Sequence, residues 1–342
     1  MKILAIETSC DETAIALVEV KGGLKNPRFK ILKNLIASQI KIHRPFGGVV
    51  PNLAKREHLK NLPILFKNLK PKTQNLKPDI IAVTVGPGLE PALWTGINFA
   101  KEKFKELKIK NKKLKLIGVS HLEGHIHSNI LENIGMKNLF PAIALIISGG
   151  HTILIKMDSF DKYKKIGETR DDAVGEAFDK VARLLNLPYP GGPEIEKIAK
   201  KGNPNAINFP RPMINQKNYD FSFSGLKTAI LYYLRDNKNF KTADVAASFQ
   251  KSAFDVLISK TLRAVEEFNA KSIFISGGVA ANKTLKKEFQ KAIKKNFSKN
   301  NAPILTITKF PTDNAAMIAA AGYINFLRKK NKKLIAKGNL NL

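Results

Sequence analysis

The strongest candidates for chemistry in this sequence are two histidines, His121 and His125, within the run Val-Ser-His-Leu-Glu-Gly-His-Ile-His-Ser-Asn at residues 119–129. Residues four apart lie on one face of a helix about one turn apart, so the two imidazoles can share one divalent metal ion. The same spacing is also found in polar pairs on exposed helix faces that bind nothing. His127 lies two residues beyond His125 and faces elsewhere, so we do not count it as a ligand.

The segments around the histidine pair favour a ligand site. The apolar run from Leu114 to Val119 is typical of a buried strand, so the pair opens a helix at the carboxyl end of a strand. Open α/β sheets bind their ligands at this end. Upstream, residues 79–85 read as a strand, Gly86-Pro87-Gly88 as a turn and residues 91–107 as a helix. This alternation predicts an α/β layer with a largely parallel sheet.

Each half of the chain opens with the same pattern of two strands around a short turn. In the first half the strands are predicted at residues 2–7 and 13–20, and in the second half at 142–147 and 152–157. We therefore predict a duplicated α/β fold with two lobes. Residues 1–140 form the lobe that carries the histidine pair, and residues 141–342 form the other, with a mostly helical insertion at about 159–270.

Composition limits the classes of protein to which the chain can belong. With 342 residues, of which 44% are hydrophobic, it can bury a large core in about two domains. Apolar runs such as the one at residues 142–147 are too short to span a membrane, and acidic residues near the N-terminus argue against a signal peptide, so we expect a cytoplasmic protein. Its single cysteine, Cys10, excludes an internal disulfide framework. The net charge of +30 favours polyanionic partners such as nucleic acid, although lysines spread along the chain are also typical of a solvated surface.

Three glycine turns follow predicted strands: Gly86-Pro87-Gly88, Ser148-Gly149-Gly150-His151 and Ser276-Gly277-Gly278. Glycine lets backbone N–H groups approach a ligand closely, and the positive end of a following helix favours phosphate. One such turn is weak support, because glycine turns also occur for steric reasons alone. In a duplicated fold we expect all three to face one cleft, as in the actin, sugar-kinase and Hsp70 class of nucleotide-binding proteins.

Eight motifs in order make the chain resemble a more specific family, the bacterial tRNA threonylcarbamoyladenosine synthase catalytic subunits (the TsaD family, once described as glycoproteases). The resemblance extends from Met1 to about Leu327. The motifs are Ile-Glu-Thr-Ser-Cys-Asp-Glu-Thr (6–13), Phe-Gly-Gly-Val-Val-Pro (46–51), Gly-Pro-Gly-Leu (86–89), His-Leu-Glu-Gly-His (121–125), Ser-Gly-Gly-His-Thr (148–152), Gly-Glu-Ala-Phe-Asp-Lys (175–180), Tyr-Pro-Gly-Gly-Pro (189–193) and Phe-Ser-Phe-Ser-Gly-Leu-Lys-Thr (221–228). The sequence departs from the family pattern at Glu90-Pro91, where smaller residues are expected.

The resemblance implies which residues form the site. The metal, iron(II) or zinc, would be held by His121, His125 and Asp313, and the other reading of Asp313 is that it caps the last helix. No catalytic side chain beyond these ligands is assigned. The adenylate-binding positions correspond to Ile146, Ile147, Ser148, Gly149, Gly150, Asp179, Gly192, Glu196 and Asn282.

The resemblance also implies a reaction and its partners. The enzyme would be an acyltransferase that moves the threonylcarbamoyl group from threonylcarbamoyl-AMP to the N6 amine of the adenosine that follows the anticodon. Its substrates would be tRNAs reading codons that begin with adenine. A non-catalytic paralogue of the TsaB type would pair with the first lobe, and a small ATPase of the TsaE type would reset the complex.

Three other functions fit the sequence less well. Zinc proteases of the His-Glu-x-x-His type place a glutamate directly after the first histidine, but here Leu122 holds that position and Glu123 lies about 100° further round the helix. A kinase-like ATP binder would use the glycine turns and leave the histidine pair and Asp313 without a role. A plain RNA-binding module would explain the charge and leave both the metal and glycine motifs without one.

Overall fold

The computed structural model describes residues 1–69, 77–132 and 138–342, which divide into two compact units. The first unit consists of Met1–Lys137 together with Thr312–Leu342, and the second consists of Asn138–Pro311. Each unit contains a five-stranded sheet with helices packed against it. The chain therefore leaves the first unit once and returns to it for its last helix.

The first unit is built on a mixed sheet. Its strands are β1 (Lys2–Glu7), β2 (Glu12–Lys21), β3 (Arg28–Ser38), β4 (Ile80–Gly86) and β5 (Lys115–Ser120). The spatial order is β3-β2-β1-β4-β5. Strand β2 pairs antiparallel with both β1 and β3, whereas β4 and β5 run parallel to β1. All of β4 and nearly all of β1 are buried, which explains their uninterrupted apolar runs. Because β1, β4 and β5 are parallel, their carboxyl ends lie at the same edge of the sheet.

Helices cover this sheet and lead into the site. They are α1 (Ile40–His43), α2 (Pro51–Leu69), α3 (Glu90–Lys108), α4 (His121–His127) and, after the second unit, α10 (Ala315–Leu327). Helices α2 and α3 pack against each other. Helix α2 also packs on β2, and α3 also packs on β4. Helix α10 packs against α4 and against β1, β2 and β5, so its residues from Ala315 to Asn325 are all buried.

The second unit repeats the sheet of the first. Its strands are β6 (Ala142–Ile147), β7 (Thr152–Met157), β8 (Tyr163–Glu168), β9 (Ser272–Ser276) and β10 (Ile304–Ile307). Strands β6, β7 and β8 form an antiparallel meander, β9 is parallel to β6, and β10 is parallel to β9. This connectivity is the same as that of β1 to β5, and it confirms the predicted duplication.

The second unit holds most of its helices between β8 and β9. Its helices are α5 (Val174–Leu184), α6 (Gly191–Ala199), α7 (Ser224–Asp236), α8 (Thr242–Glu267) and α9 (Lys283–Asn296). The 26-residue α8 is buried along most of its length and packs on α6, α7, α9 and β6. The sequence predicted this helix at 243–268 from its apolar spacing, and that prediction is confirmed within one residue at each end.

Two features differ from the sequence-based division of the chain. The last helix, α10, belongs to the first unit, whereas the prediction assigned residues 141–342 entirely to the second lobe. An almost wholly apolar helix must be buried on all sides, and α10 is buried between α4 and the first sheet. The predicted insertion began at about 159, but residues 163–168 form β8, an edge strand whose partly exposed, lysine-containing sequence gives no apolar signal.

Within the ranges that the structure describes, no helix combines the length and the apolar character needed to cross a membrane.

Candidate active site

Three side chains of the first unit converge next to the carboxyl end of β5. His121 and His125 are on α4, which begins directly after β5, and Asp313 lies two residues before α10. The Nε2 atoms of His121 and His125 lie 3.5 and 3.4 Å from the same carboxylate oxygen of Asp313. One ligand atom from each residue lies within 4.8 Å of the others. This cluster could bind one divalent metal ion through two imidazoles and a carboxylate, with further coordination positions left open.

His125 shows that the cluster fits a metal. Its side chain is fully buried, and neither ring nitrogen has a hydrogen-bond partner among the described residues. Leaving a buried polar atom unsatisfied costs about 1–3 kcal/mol, and an ion near Asp313 would satisfy Nε2. Burial also lowers the pKa of His125, which favours the neutral imidazole that binds metals. The alternative of two polar residues on an exposed helix face is wrong, because His121 and His125 are only 5% and 0% exposed.

Glu7 at the end of β1 holds His121 in place from the other side of its ring. One carboxylate oxygen of Glu7 lies 3.1 Å from Nδ1 of His121 and accepts a hydrogen bond of 2.7 Å from the Thr84 hydroxyl, while the other accepts from the backbone N–H of Ser9 at 2.5 Å. A ligand histidine usually donates its second N–H to such a carboxylate. Burial alone would lower the pKa of His121, but the carboxylates of Asp313 and Glu7 outweigh it and raise the pKa to about 9.

The other two polar residues of α4 serve the helix itself. The carboxylate of Glu123 accepts hydrogen bonds from the backbone N–H of Ser120 at 3.3 Å and from Nδ2 of Asn325 at 2.8 Å. Nδ1 of His127 lies 2.8 Å from the carbonyl oxygen of Glu123. Glu123 therefore fixes the start of α4 and its contact with α10, an arrangement that does not suit the base of a metalloprotease.

Asp313 is not the cap of α10. That role belongs to the next residue, Asn314, whose side-chain oxygen accepts a hydrogen bond of 3.0 Å from the backbone N–H of Met317. The alternative role considered for Asp313 is therefore filled by its neighbour. Asp313 instead faces the two histidines.

The glycine turn of the first unit, Gly86-Pro87-Gly88, holds Ser9 and the C-terminal segment. Gly88 has φ +151°, and a side chain there would meet the carbonyl oxygen of Ser9 at 2.5 Å. The backbone N–H of Gly88 donates to the carbonyl of Gly338, and Glu90 accepts from the N–H of Gly338 at 3.1 Å. Glu90, the departure from the family pattern, thus ties down the C-terminal segment. These glycines are explained by close backbone packing, and phosphate binding is not needed to account for them.

The second unit contains the other predicted residues, beginning with the turn after β6. Ile146 and Ile147 are buried strand residues, and the turn is closed by hydrogen bonds between Ser148 and His151 in both directions, at 2.8 and 3.1 Å. A Cβ atom on Gly149, Gly150, Gly192 or Gly278 would meet nothing within 4 Å. These glycines face open space, where a ligand could approach the backbone.

Contacts join the predicted residues of the second unit into one neighbourhood. A Cβ atom on Gly277, whose φ is +92°, would lie 2.4 Å from the carbonyl oxygen of Ile147, so β6 and β9 end side by side. A Cβ atom on Gly175, in the first turn of α5, would lie 2.5 Å from the carbonyl oxygen of Ser148. Asp179 on α5 accepts from the backbone N–H of Gly191 at 2.7 Å. The start of α5, the start of α6 and the turn after β6 therefore lie together.

Asn282 and Glu196 have structural roles that the sequence did not reveal. The side-chain oxygen of Asn282 caps α9 by accepting from the N–H groups of Thr284 and Leu285, and its Nδ2 donates to Gln250 at 2.9 Å. Glu196 accepts from the backbone N–H of Lys283 at 3.1 Å, which links α6 to the start of α9. Both residues fix the first turn of α9 next to Gly278.

Sequence reasoning missed Glu7 and Gly175 as site residues. Each lies inside a motif that was recognised, at residues 6–13 and 175–180, but neither was given a role. A buried glutamate at the end of an apolar strand was the available signal for Glu7, because a carboxylate in that position needs strong hydrogen-bond donors. Gly175 could be assigned only from the packing of α5 on Ser148.

Comparison with known proteins identifies the family of the chain. The family described as TsaD, tRNA N6-adenosine threonylcarbamoyltransferase, matches residues 30–320. A tRNA N6-adenosine threonylcarbamoyltransferase of Thermosipho melanesiensis is 48% identical over the whole of both chains. A protein with the same description from Thermosipho africanus is 49% identical over 94% of both chains. Another from Clostridioides difficile is 45% identical over 99% of this chain and 97% of the other.

Solved structures show the fold alone. HypF of T. kodakarensis superposes with a TM-score of 0.63 at 16% identity, over 96% of this chain and 48% of that one. The activator of 2-hydroxyisocaproyl-CoA dehydratase from Clostridium difficile gives a TM-score of 0.51 at 14% identity, over 96% of both chains. Both are proteins of the actin-like class, which confirms the predicted fold class. From the match over residues 30–320 and the relatives at 45–49% identity, the chain belongs to the TsaD family of tRNA N6-adenosine threonylcarbamoyltransferases.

Proposed function

We propose that this protein transfers the threonylcarbamoyl group of threonylcarbamoyl-AMP to N6 of the adenosine that follows the anticodon, in tRNAs reading codons that begin with adenine. The observation that carries the proposal is the buried cluster of His121, His125 and Asp313 in a chain that belongs to this family. A metalloprotease would need a general base beside the metal. Glu123 does not suit that role, because its carboxylate accepts hydrogen bonds from Ser120 and Asn325.

His121, His125 and Asp313 are proposed as the ligands of one divalent metal, with iron(II) preferred and zinc as the alternative for the same ligand set. When bound, such an ion supplies Lewis acidity to the oxygens of the donor. Glu7 accepts the hydrogen bond of Nδ1 of His121, so that Nε2, which faces Asp313, is the nitrogen that would bind the ion. Burial of His125 excludes water from its ring.

The second unit is proposed to bind the adenylate of the donor. The segment from Ile146 to Gly150 is proposed to contact phosphate and ribose oxygens through the backbone of Gly149 and Gly150, with Gly192 and Gly278 open beside it. Asp179 is proposed to accept from the ribose hydroxyls. Asn282 is proposed to contribute the second N–H of its amide, since its oxygen caps α9 and its first amide N–H donates to Gln250. Glu196 is proposed to act through Lys283, by holding the first turn of α9.

Direct attack by the adenosine amine is proposed, without a covalent enzyme intermediate. Cys10 is the single thiol of the chain, and burial together with the neighbouring Asp11 raises its pKa well above the ordinary value. A thiol that stays protonated is a poor nucleophile. The chain therefore contributes binding and orientation of the two substrates.

We propose tRNA, a paralogue of the TsaB type and a small ATPase of the TsaE type as partners, acting together in the cytoplasm. For the paralogue, the first unit offers a groove of about 870 Å³ between α2 and α3, lined in part by Leu59, Pro63, Phe66 and Trp94. Leu59 and Trp94 are 56% and 38% exposed, which is typical of an apolar surface that a partner covers.

Nucleoside analysis of tRNA tests the proposal. The protein is incubated with tRNA and threonylcarbamoyl-AMP, or with its partners, threonine, bicarbonate and ATP, and the tRNA is digested and analysed by mass spectrometry. Threonylcarbamoyladenosine should appear with the wild-type protein and be lost in His125→Gln, while His127→Gln, two residues along the same helix, should retain it. No modified nucleoside with the complete set of components, or ATP turnover as the only activity, would overturn the proposal.

A further inference from the structure

The loop that follows α1 carries an exposed aromatic side chain without a role in the site described so far. Phe46 is 63% exposed, which makes it the most exposed aromatic side chain among the described residues. It lies in the motif Phe-Gly-Gly-Val-Val-Pro at residues 46–51. A single exposed apolar residue needs no explanation by itself, so the case depends on what surrounds it.

The loop is shaped to present Phe46. A short 3₁₀ helix at Arg44–Phe46 is closed by a hydrogen bond of 3.1 Å from the backbone N–H of Gly47 to the carbonyl of Arg44. Gly47 has φ +65°, a left-handed conformation that glycine adopts without strain. A Cβ atom on Gly48 would meet nothing within 4 Å, so the space next to Phe46 is open.

The base of the loop is anchored by a chain of buried polar groups. The N–H of Val50 donates to Nδ1 of His43 at 3.3 Å, and Nε2 of His43 donates to Oε1 of Gln39 at 3.0 Å. Nε2 of Gln39 lies 3.3 Å from Nδ1 of His58, whose Nε2 donates to the carbonyl of Cys10 at 2.9 Å. His43, Gln39 and His58 are all fully buried. Both ends of the loop are thereby fixed to one rigid network.

The same network leads to the metal ligands. The backbone N–H of Gln39 donates to the carbonyl of Asp11 at 2.9 Å, and in the same turn Oγ of Ser9 lies 3.2 Å from Nδ1 of His121. The loop and the metal cluster are therefore attached to one turn, residues 8–11, of the first unit. A substrate held by the loop would be held at a fixed position relative to the metal ligands.

The charged side chains of the segment that contains the loop, residues 40–56, are all basic. Residues 40–56 contain four basic side chains, Lys41, Arg44, Lys55 and Arg56, and no aspartate or glutamate. All four basic residues are exposed. In this chain, which has 28 acidic residues, a segment of that kind favours a polyanion.

We infer that the loop Arg44–Gly48 is a tRNA-binding element in which Phe46 stacks on an unpaired base of the anticodon loop while Lys41 and Arg44 contact its phosphates. This inference rests on the proposed function, whose acceptor adenosine lies in a single-stranded loop. Proteins recognise such bases by stacking them on aromatic side chains, and basic residues beside the aromatic ring bind the backbone. An apolar partner protein would not need the basic residues on both sides of Phe46.

Substitutions at Phe46 test the inference. The dissociation constant of an anticodon stem-loop and the KM for tRNA are measured for wild type, Phe46→Ala, Phe46→Leu and Phe46→Trp, with partners and donor present for KM. Phe46→Ala and Phe46→Leu should raise both the dissociation constant and the KM about 10-fold or more. Phe46→Trp should keep both near the wild-type values, because stacking needs an aromatic ring. The matched control is Tyr232→Ala, which removes a 51% exposed aromatic side chain from α7 and should leave both values unchanged.

The outcomes separate this inference from the proposed function. If wild type makes no threonylcarbamoyladenosine, the proposed function fails. If wild type is active and Phe46→Ala binds the stem-loop within twofold of it, the inference alone is overturned. Weaker binding of the paralogue with unchanged stem-loop binding would show that Phe46 serves a protein interface, which also overturns it. Melting temperature and metal content are measured on every variant and should match wild type.

Discussion

At the scale of single residues, the site depends on which nitrogen of His121 carries a proton. Glu7 is acceptor-only when ionised, so it holds a proton on Nδ1 of His121, and Nε2, which faces Asp313, is the nitrogen that would bind a metal. His125 needs no such partner to face Asp313, since its orientation is fixed by burial in α4. The two proposed ligands are therefore held by different means.

Glu7→Gln should weaken metal binding about 10- to 100-fold, because a neutral amide accepts the Nδ1 proton of His121 less strongly than a carboxylate does and makes the imidazole a weaker ligand. Metal retained during titration with a competing chelator measures the change. Thr84→Val is the matched control, since it removes another hydrogen bond to Glu7 without touching His121. Equal metal affinity in Glu7→Gln and wild type would show that Glu7 does not set the protonation of His121.

At the scale of elements, the duplicated sheet provides equivalent positions for different uses. The glycine turn after β4 is filled by Ser9 and the C-terminal segment, whereas the turn after β6 has open space over Gly149 and Gly150. Open space over a glycine is expected where a ligand contacts the backbone, because a side chain would then clash with the ligand and not with the protein.

Gly149→Ala should therefore leave the fold intact and weaken AMP binding by an order of magnitude or more. Its φ is not positive, so alanine fits the turn, and the stability should change by less than about 1 kcal/mol. Calorimetric titration with AMP and a melting curve on the same preparation measure both effects. Gly23→Ala is the control, since Gly23 also has nothing within 4 Å but lies in the β2–β3 connection of the first unit. Normal AMP binding by Gly149→Ala would place the nucleotide elsewhere.

At the scale of the whole molecule, the chain divides its chemistry between two units. The candidate metal cluster belongs to the first unit, because the C-terminal segment returns Asp313 to the histidines. The proposed adenylate residues all belong to the second unit. The two functions should therefore be separable by mutation.

Asp313→Ala should abolish metal retention and transfer while leaving AMP affinity within about twofold of wild type, as expected for a residue needed mainly in the transition state. The neighbouring Asn314→Ala should show the opposite pattern, because loss of the α10 cap costs about 0.5–2 kcal/mol of stability without removing a ligand. Metal content, AMP affinity, melting temperature and single-turnover rate are measured on both. A full equivalent of metal in Asp313→Ala would exclude it as a ligand.

The charge of +30 predicts how tRNA binding responds to salt. Each phosphate contact made by a lysine or arginine should lower the slope of log K against log salt by about 0.7–0.9. The dissociation constant is measured by filter binding or fluorescence anisotropy at KCl concentrations of about 50 to 300 mM, a range on the order of physiological ionic strength. These values give the slope. A flat line would mean that the lysines form a solvated surface with no part in binding.

The sequence by itself predicted most of the architecture and the three residues, His121, His125 and Asp313, that the structure brings together as a candidate metal site. Uninterrupted apolar runs located β1, β4, β6 and β9 because buried parallel strands need apolar residues on both faces. The four-residue spacing of His121 and His125 predicted their common face because helix periodicity is local. The sequence contained no sign of β8, because this edge strand is half-exposed and carries lysines.

Only the tertiary structure decided the features that depend on contacts between distant segments. Glu7 lies 114 residues from His121, and its role arises because β1 and β5 end at one edge of the same sheet. Asp313 joins the histidines because α10, apolar on all sides, must be buried against the first sheet and α4. Asn282 is a helix cap as well as a proposed ligand residue, and hydrogen-bond partners of a side chain are fixed by packing, which no local pattern encodes.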